Sequence, residues 1–122
     1  MPRFVVLRHE TPPDYERGLH WDLMLETGSQ LSTWALAAEP SSDRSIEAEK
    51  LADHRSAYLD YDGPVSGNRG SVSRWDAGEF EIIEQSDEQL RVRLNGERFV
   101  GTLSLRRTGP QNHCWTAAFS SV

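Results

Sequence analysis

The chain has 122 residues, a formal net charge of −6 and a single cysteine, Cys114. That length closes one hydrophobic core without staples, so a single domain over residues 1–122 is expected, and one cysteine excludes an intrachain disulfide or a multi-cysteine zinc knuckle and fits a reducing cytoplasm. The acidic balance argues against a general nucleic-acid coating protein, and neither a signal peptide nor a segment of membrane-spanning length is predicted.

Taken in order, Phe4–Leu7 is a short apolar β-type run ending in Arg8 and His9, followed by a loop carrying Pro12, Pro13, Asp14 and Gly18. A second strand is predicted from about Leu19 to Glu26. In it His20, Asp22, Met24 and Glu26 alternate with the apolar Trp21, Leu23 and Leu25, the period of a half-buried strand. A turn at Thr27-Gly28-Ser29-Gln30 leads to a return strand, Leu31–Leu36, and Pro40-Ser41-Ser42-Asp43 is loop. Ser45–Leu51 has good helix propensity, yet Ile46, Ala48 and Leu51 fit neither the helical nor the strand period, and the segment is left ambiguous.

Ala52-Asp53-His54-Arg55 leads into Tyr58-Leu59-Asp60-Tyr61, and Gly63 to Gly70 is loop by composition. Ser71–Trp75 and Glu79–Ile83 read as strands separated by a turn at Asp76-Ala77-Gly78. Gln89–Leu94 alternates, Asn95-Gly96 signals a type I′ hairpin, Glu97–Leu105 is its partner, and Cys114–Phe119 closes the series after a Gly109-Pro110 loop. Gly101 inside a strand suggests a bend that curls the sheet. Seven or eight short strands with tight turns and at most short helices predict a mainly β fold, an antiparallel barrel of about eight strands, since closure removes the edges most simply.

His20 and Asp22 share a strand face, and His9 arrives from the end of the preceding strand. Two imidazoles and a carboxylate form a mixed nitrogen and oxygen set with open positions, the pattern of a catalytic divalent metal; manganese, zinc and iron all suit it. The competing reading is that His9 and His20 are partly buried polar residues satisfied by Asp22 or by backbone. His54, with Tyr58 four residues on, offers an imidazole and a hydroxyl to a phosphate, and Gly67-Asn68-Arg69-Gly70 offers backbone N–H groups and a guanidinium. Both also read as ordinary turn and core features. Twelve of the thirteen basic residues are arginine, whose planar fork suits phosphate, although compositional bias explains the excess equally well. His113 beside Cys114 suggests no nucleophile, because strand neighbours point to opposite faces. The four tryptophans read as core or barrel wall.

FVVLRH, LHWDLMLE, LSTWAL, DHRSAY, the run from Tyr61 to Phe80, LNGERFVGTLSLRR and the late Trp115, in that order, resemble the 3′-phosphoesterase domain family of bacterial DNA ligase D. The resemblance runs through most of the chain. It implies a small β-barrel that depends on a divalent metal, usually manganese, and trims nucleic-acid 3′ termini by removing a terminal ribonucleoside and then the 3′-phosphate. By the same resemblance His9, His20 and Asp22 match the metal ligands, His54 and Tyr58 match residues on the scissile phosphate, and Arg44 stands for a further phosphate-binding arginine. The implied partners are primer-template 3′ ends and a DNA ligase or polymerase; a cytoplasmic monomer without membrane contact is expected.

Two positions depart from the family pattern. An arginine expected two residues after the aspartate is Met24, and a glutamine expected two residues before the first histidine is Leu7. Methionine donates no hydrogen bond, so loss of that contact would weaken transition-state stabilisation by about 2 kcal/mol. Either Arg69, Arg8 or Arg44 substitutes, or the domain binds 3′ ends or a repair partner without cutting.

Overall fold

A computed structural model describes residues 2–13, 15, 17–65, 69–109 and 113–121. Asp14, Gly67, Asn68 and Pro110, read above as loop residues, lie outside the described residues. Among the described residues the strands are β1 (Arg3–Glu10), β2 (His20–Thr27), β3 (Gln30–Leu36), β4 (Arg44–Arg55), β5 (Gly63–Pro64), β6 (Ser71–Gln85), β7 (Gln89–Gly96), β8 (Val100–Arg107) and β9 (Cys114–Ser121). One short 3₁₀ helix, Ser56–Asp60, follows β4. The order β1-β2-β3-β4-β9-β8-β7-β6 closes on itself through antiparallel pairing of β6 with β1, so eight strands form a barrel and two-residue β5 pairs on to β6. No helix among the described residues is long and apolar enough to cross a membrane.

The barrel interior is filled by one face of each strand, including Phe4, Val6, Leu23, Leu25, Val92, Leu103 and Phe119, with Trp34 buried and Trp21, Trp75 and Trp115 packed against this core. A second apolar cluster lies on the opposite face of β1 and β2, where Val5, Leu7 and Met24 meet Leu31, Val72, Leu59 of the 3₁₀ helix and Val65. This outer cluster explains why Phe4–Leu7 reads as a continuous apolar run rather than an alternation: both faces of β1 are covered.

Several expectations are corrected. The ambiguous Ser45–Leu51 is the middle of β4, and its burial alternates from Ser45 to Ala48 because Ile46 and Ala48 face the core while Ser45, Glu47 and Glu49 face out. Tertiary pairing with β3 and β9 overrides the helix propensity. The turn at Asp76-Ala77-Gly78 does not exist; β6 runs unbroken through it. Buried Asp76 instead accepts backbone N–H bonds from Ala77 (2.8 Å), Arg98 (2.9 Å) and Phe99 (2.9 Å), so its carboxylate caps the neighbouring β7–β8 connection. Gly78 is there for closeness, since a Cβ would lie 2.1 Å from the Asn95 carbonyl oxygen.

The Asn95-Gly96 signal likewise does not produce a two-residue turn. Asn95 pairs with Val100, and Gly96 N–H bonds the Phe99 carbonyl at 2.9 Å, giving a four-residue connection held by Asp76. Gly63-Pro64, read as loop, forms β5.

Candidate metal centre

The antiparallel register of β1 and β2 sets His9 opposite His20 and Leu7 opposite Asp22, so the three polar side chains meet on the outer face at one end of the barrel. The ligating atoms of His9, His20 and Asp22 all lie within 4.8 Å of one another, and the two imidazole centroids are 4.6 Å apart. His20 and Asp22 are buried, with 5% and 4% of their surface exposed, and His9 is half-buried.

Each imidazole is oriented from behind by a backbone carbonyl. His20 Nδ1 lies 2.8 Å from the Gly18 oxygen, and His9 Nε2 lies 2.8 Å from the Arg69 oxygen. A carbonyl only accepts, so these nitrogens carry the protons, which leaves His20 Nε2 and His9 Nδ1 turned towards Asp22. A carbonyl behind each imidazole is the arrangement that fixes the tautomer of a metal-ligating histidine. Gly70 makes the second contact feasible: at φ +90°, a Cβ there would lie 1.8 Å from the Glu10 oxygen, so only glycine lets the Arg69-Gly70 backbone press against the end of β1.

Asp22 Oδ2 bonds His9 Nδ1 at 2.9 Å. Asp22 Oδ1 lies 3.1 Å from His20 Nε2, yet the angle is wrong for a hydrogen bond and Oδ1 is buried without a hydrogen-bond partner. With His20 in the tautomer set by Gly18, two lone pairs face each other across that gap, an arrangement relieved by a cation between them. The donor set and this orphaned oxygen fit a divalent metal.

Burial alone would raise the Asp22 pKa, but the His20 and His9 imidazoles flanking its two oxygens hold it down at about 2. Burial likewise opposes protonation of His9; the hydrogen bonds to Asp22 and to the Arg69 carbonyl outweigh it and raise the His9 pKa, while the nearby Arg69 charge works against them.

The other residues singled out from sequence are arranged differently. His54 is at the end of β4 rather than in a loop, its Nδ1 bonding the Ala52 carbonyl at 2.9 Å, and its ring meets Tyr58 edge-on at 5.6 Å. Asp22, Met24 and Glu26 follow one another on the outer face of β2; Glu26 pairs with Leu31 and Leu31 with His54. Met24 therefore stands between the triad and the His54–Tyr58 pair. It is 1% exposed and packed in the outer apolar cluster together with Leu7, with Tyr58 against the same cluster. Both departures from the family pattern thus fall in a single apolar plug. Arg8 points to the pleat opposite His9 and pairs with Glu10 at 2.7 Å. Arg44 opens β4 beside Phe119, five residues before Glu49, or roughly 16 Å along the strand from the row that contains Asp22.

Near the triad, two backbone oxygens and two side chains, those of Arg17 and Glu49, were not singled out from sequence. The backbone oxygens of Gly18 and Arg69 carry no residue signal. Glu49 was detectable: across the strands Asp22 pairs with Ala35 and Ala35 with Glu49, and the alternation of Glu47 and Glu49 in β4 gives their common face once the segment is read as a strand. Arg17 forks on to Glu49 at 2.9 and 3.0 Å, which lowers the Glu49 pKa and raises that of Arg17.

Residues 9–107 match the family described as DNA Ligase D 3′-phosphoesterase domain. Among curated proteins, the multifunctional non-homologous end joining protein LigD of Pseudomonas aeruginosa is 28% identical over 116 residues, covering 87% of this chain. The chain spans 13% of the length of that relative.

Proposed function

The chain belongs to the DNA ligase D 3′-phosphoesterase domain family, and on that premise we propose that it is a manganese-dependent phosphoesterase that processes nucleic-acid 3′ termini. The reading rests on one observation above the others: His9, His20 and Asp22 each offer a donor atom within 4.8 Å of the other two, with both imidazoles braced by carbonyls and Asp22 Oδ1 lacking a hydrogen bond. In this reading His9, His20 and Asp22 hold the cation, which when bound would act as a Lewis acid on a phosphate oxygen; zinc suits the same donors.

The chain's own groups do the rest. Asp22, ionised far below neutral pH, supplies the compensating negative charge. Arg69, whose backbone oxygen meets His9 Nε2 at 2.8 Å, is the arginine taken here to neutralise a phosphoryl oxygen, ahead of Arg44 and Arg8. His54 and Tyr58, beyond Met24, contact the substrate strand. The substrates in this reading are the 3′-phosphate and the 3′-terminal ribonucleoside of a primer-template. The end-joining name of the Pseudomonas relative suggests a ligase or polymerase as the consumer of the resulting 3′-hydroxyl, in the cytoplasm.

A second reading is favoured by Met24. With an apolar plug where the resemblance expects an arginine, the domain would grip 3′ ends without cleaving them. One assay separates the two: incubation of a 3′-phosphate primer-template with the protein and manganese. The first reading expects a product migrating as the 3′-hydroxyl, lost together with manganese binding in His20→Ala and Asp22→Ala. Measurable end binding with no turnover under any divalent metal favours the second, and full activity in either variant refutes the site.

A further inference from the structure

The two carbonyls behind the triad are held by different forces. The Arg69 carbonyl is fixed by packing, because Gly70 lets the backbone press against the end of β1. Gly18 has no such constraint: its φ is outside the left-handed region, and a Cβ there would meet no atom within 4 Å. Neither close approach nor unusual backbone therefore puts its oxygen 2.8 Å from His20 Nδ1. What holds it is the residue before it. Thr11 Oγ1 donates to the Arg17 carbonyl at 2.7 Å, which ties the end of the β1–β2 connection back to its start. The Arg17 guanidinium reaches to β4, where Nη1 and Nη2 donate to the two carboxylate oxygens of Glu49 at 2.9 and 3.0 Å. Ala35, between Asp22 and Glu49 in the cross-strand row, carries only a methyl group and keeps the outer face low there. Both charged side chains are part-exposed, at 35% and 44%, where a single contact holds little; a bidentate fork is the geometry that fixes two planar groups in one orientation.

Resting on the metal reading above, we infer that the Arg17–Glu49 fork is a positioning clamp for the triad: it holds the Gly18 carbonyl on His20 Nδ1 and so keeps His20 Nε2 free of a proton. The alternative state is close at hand. Asp22 Oδ1 is 3.1 Å from His20 Nε2 and has no hydrogen-bond partner. With the Gly18 carbonyl withdrawn, the His20 proton moves to Nε2, and after a small rotation of the ring Oδ1 accepts it. That tautomer satisfies the orphaned oxygen without a cation and blocks the nitrogen a cation needs. Arg17 and Glu49, touching neither metal nor substrate, thus decide between an open site and a closed His–Asp network.

Imidazole nitrogen spectra of chelator-stripped protein at about pH 9 read which nitrogen of each histidine carries the proton, and calorimetric titration at about pH 8 reads manganese affinity. Wild type is expected to carry the protons on His20 Nδ1 and His9 Nε2. In Arg17→Ala and in Glu49→Ala, His20 should show a new population protonated on Nε2, while His9 keeps its tautomer because its brace comes from Arg69. Manganese affinity should fall by about tenfold in both, the low end of the range for groups behind a ligating imidazole. The two substitutions change the local charge in opposite directions, so an effect of charge alone would raise affinity in one and lower it in the other. The exchanged pair, Arg17→Glu with Glu49→Arg, should recover both readouts. An unchanged His20 tautomer in both single variants overturns the clamp, as do affinity changes of opposite sign or a change of His9 together with His20, which marks general loosening. Wild type that shows these tautomers and binds no manganese overturns the metal reading instead, so the two failures are distinguishable.

Discussion

Adding manganese to chelator-stripped protein at about pH 8 and about pH 5.5 separates a metal centre from a buried His–Asp network complete without one. In the metal-free fold, Asp22 has its pKa depressed from 3.8 to about 2, so its contribution to stability is present above 3.8 and is lost as the pH falls through 2. His9 is shifted the other way, above 6.5; its contribution is full below 6.5 and is lost as the pH rises through the folded value. Without metal the protein is therefore most stable between those limits. A cation on His9 Nδ1 must displace the proton that Asp22 holds there, so below the folded pKa its affinity falls about tenfold per pH unit. At a manganese concentration of about 100 times Kd at the higher pH, the stabilisation is ~2.7 kcal/mol. For a chain of this size that raises Tm by roughly 10 °C. The first tenfold loss of affinity at the lower pH removes about 1.3 kcal/mol of that, or roughly 5 °C. Differential scanning fluorimetry measures both shifts. A manganese-induced shift that is the same at the two pH values, or one retained by Asp22→Ala, refutes the proton-for-metal exchange.

Two further outcomes test the packing around the site. Met24→Arg buries a guanidinium among Val5, Leu7, Leu31 and Leu59 and should destabilise the fold by about 3 kcal/mol, seen as a lower urea midpoint; an unchanged midpoint would mean that the plug is open to solvent. Asp76→Ala strands the N–H groups of Arg98 and Phe99 inside the β7–β8 connection and should cost about 3 kcal/mol in the same titration, with manganese affinity unaltered because Asp76 is on another part of β6.

The parts of the fold legible in the sequence are those where one face decided the pattern. HWDLMLE exposes its strand period and the shared face of His20 and Asp22, and the rising and returning strands around Gly28 needed only local turn chemistry. Ser45–Leu51 was not legible because glutamate, alanine and lysine favour a helix in isolation, and the partners that make it a strand come from β3 and from β9, nearly seventy residues on. Asp76-Ala77-Gly78 misled for a different reason. Its turn-forming residues serve a turn, but the one across the sheet. At the site the same division holds: three side chains were visible from spacing, whereas the carbonyls of Gly18 and Arg69 that orient them depend on where the backbone goes, which no side-chain identity records.

The two braces on the triad differ in how far along the chain they come from. Gly18 is two residues from the imidazole it orients, and His20 opposite His9 needs only the β1–β2 pairing. The Arg69 carbonyl is sixty residues from His9 and arrives only when β6 closes the barrel against β1. Contacts of such sequence separation form late, after the entropy of a long loop has been overcome. Assembly of the triad therefore has two parts, a hairpin that already carries His9, His20 and Asp22 and a closure that aligns His9. On the proposed metal reading, full affinity is expected only of the finished barrel, and a chain stalled with β1 and β6 apart would hold the triad without the alignment.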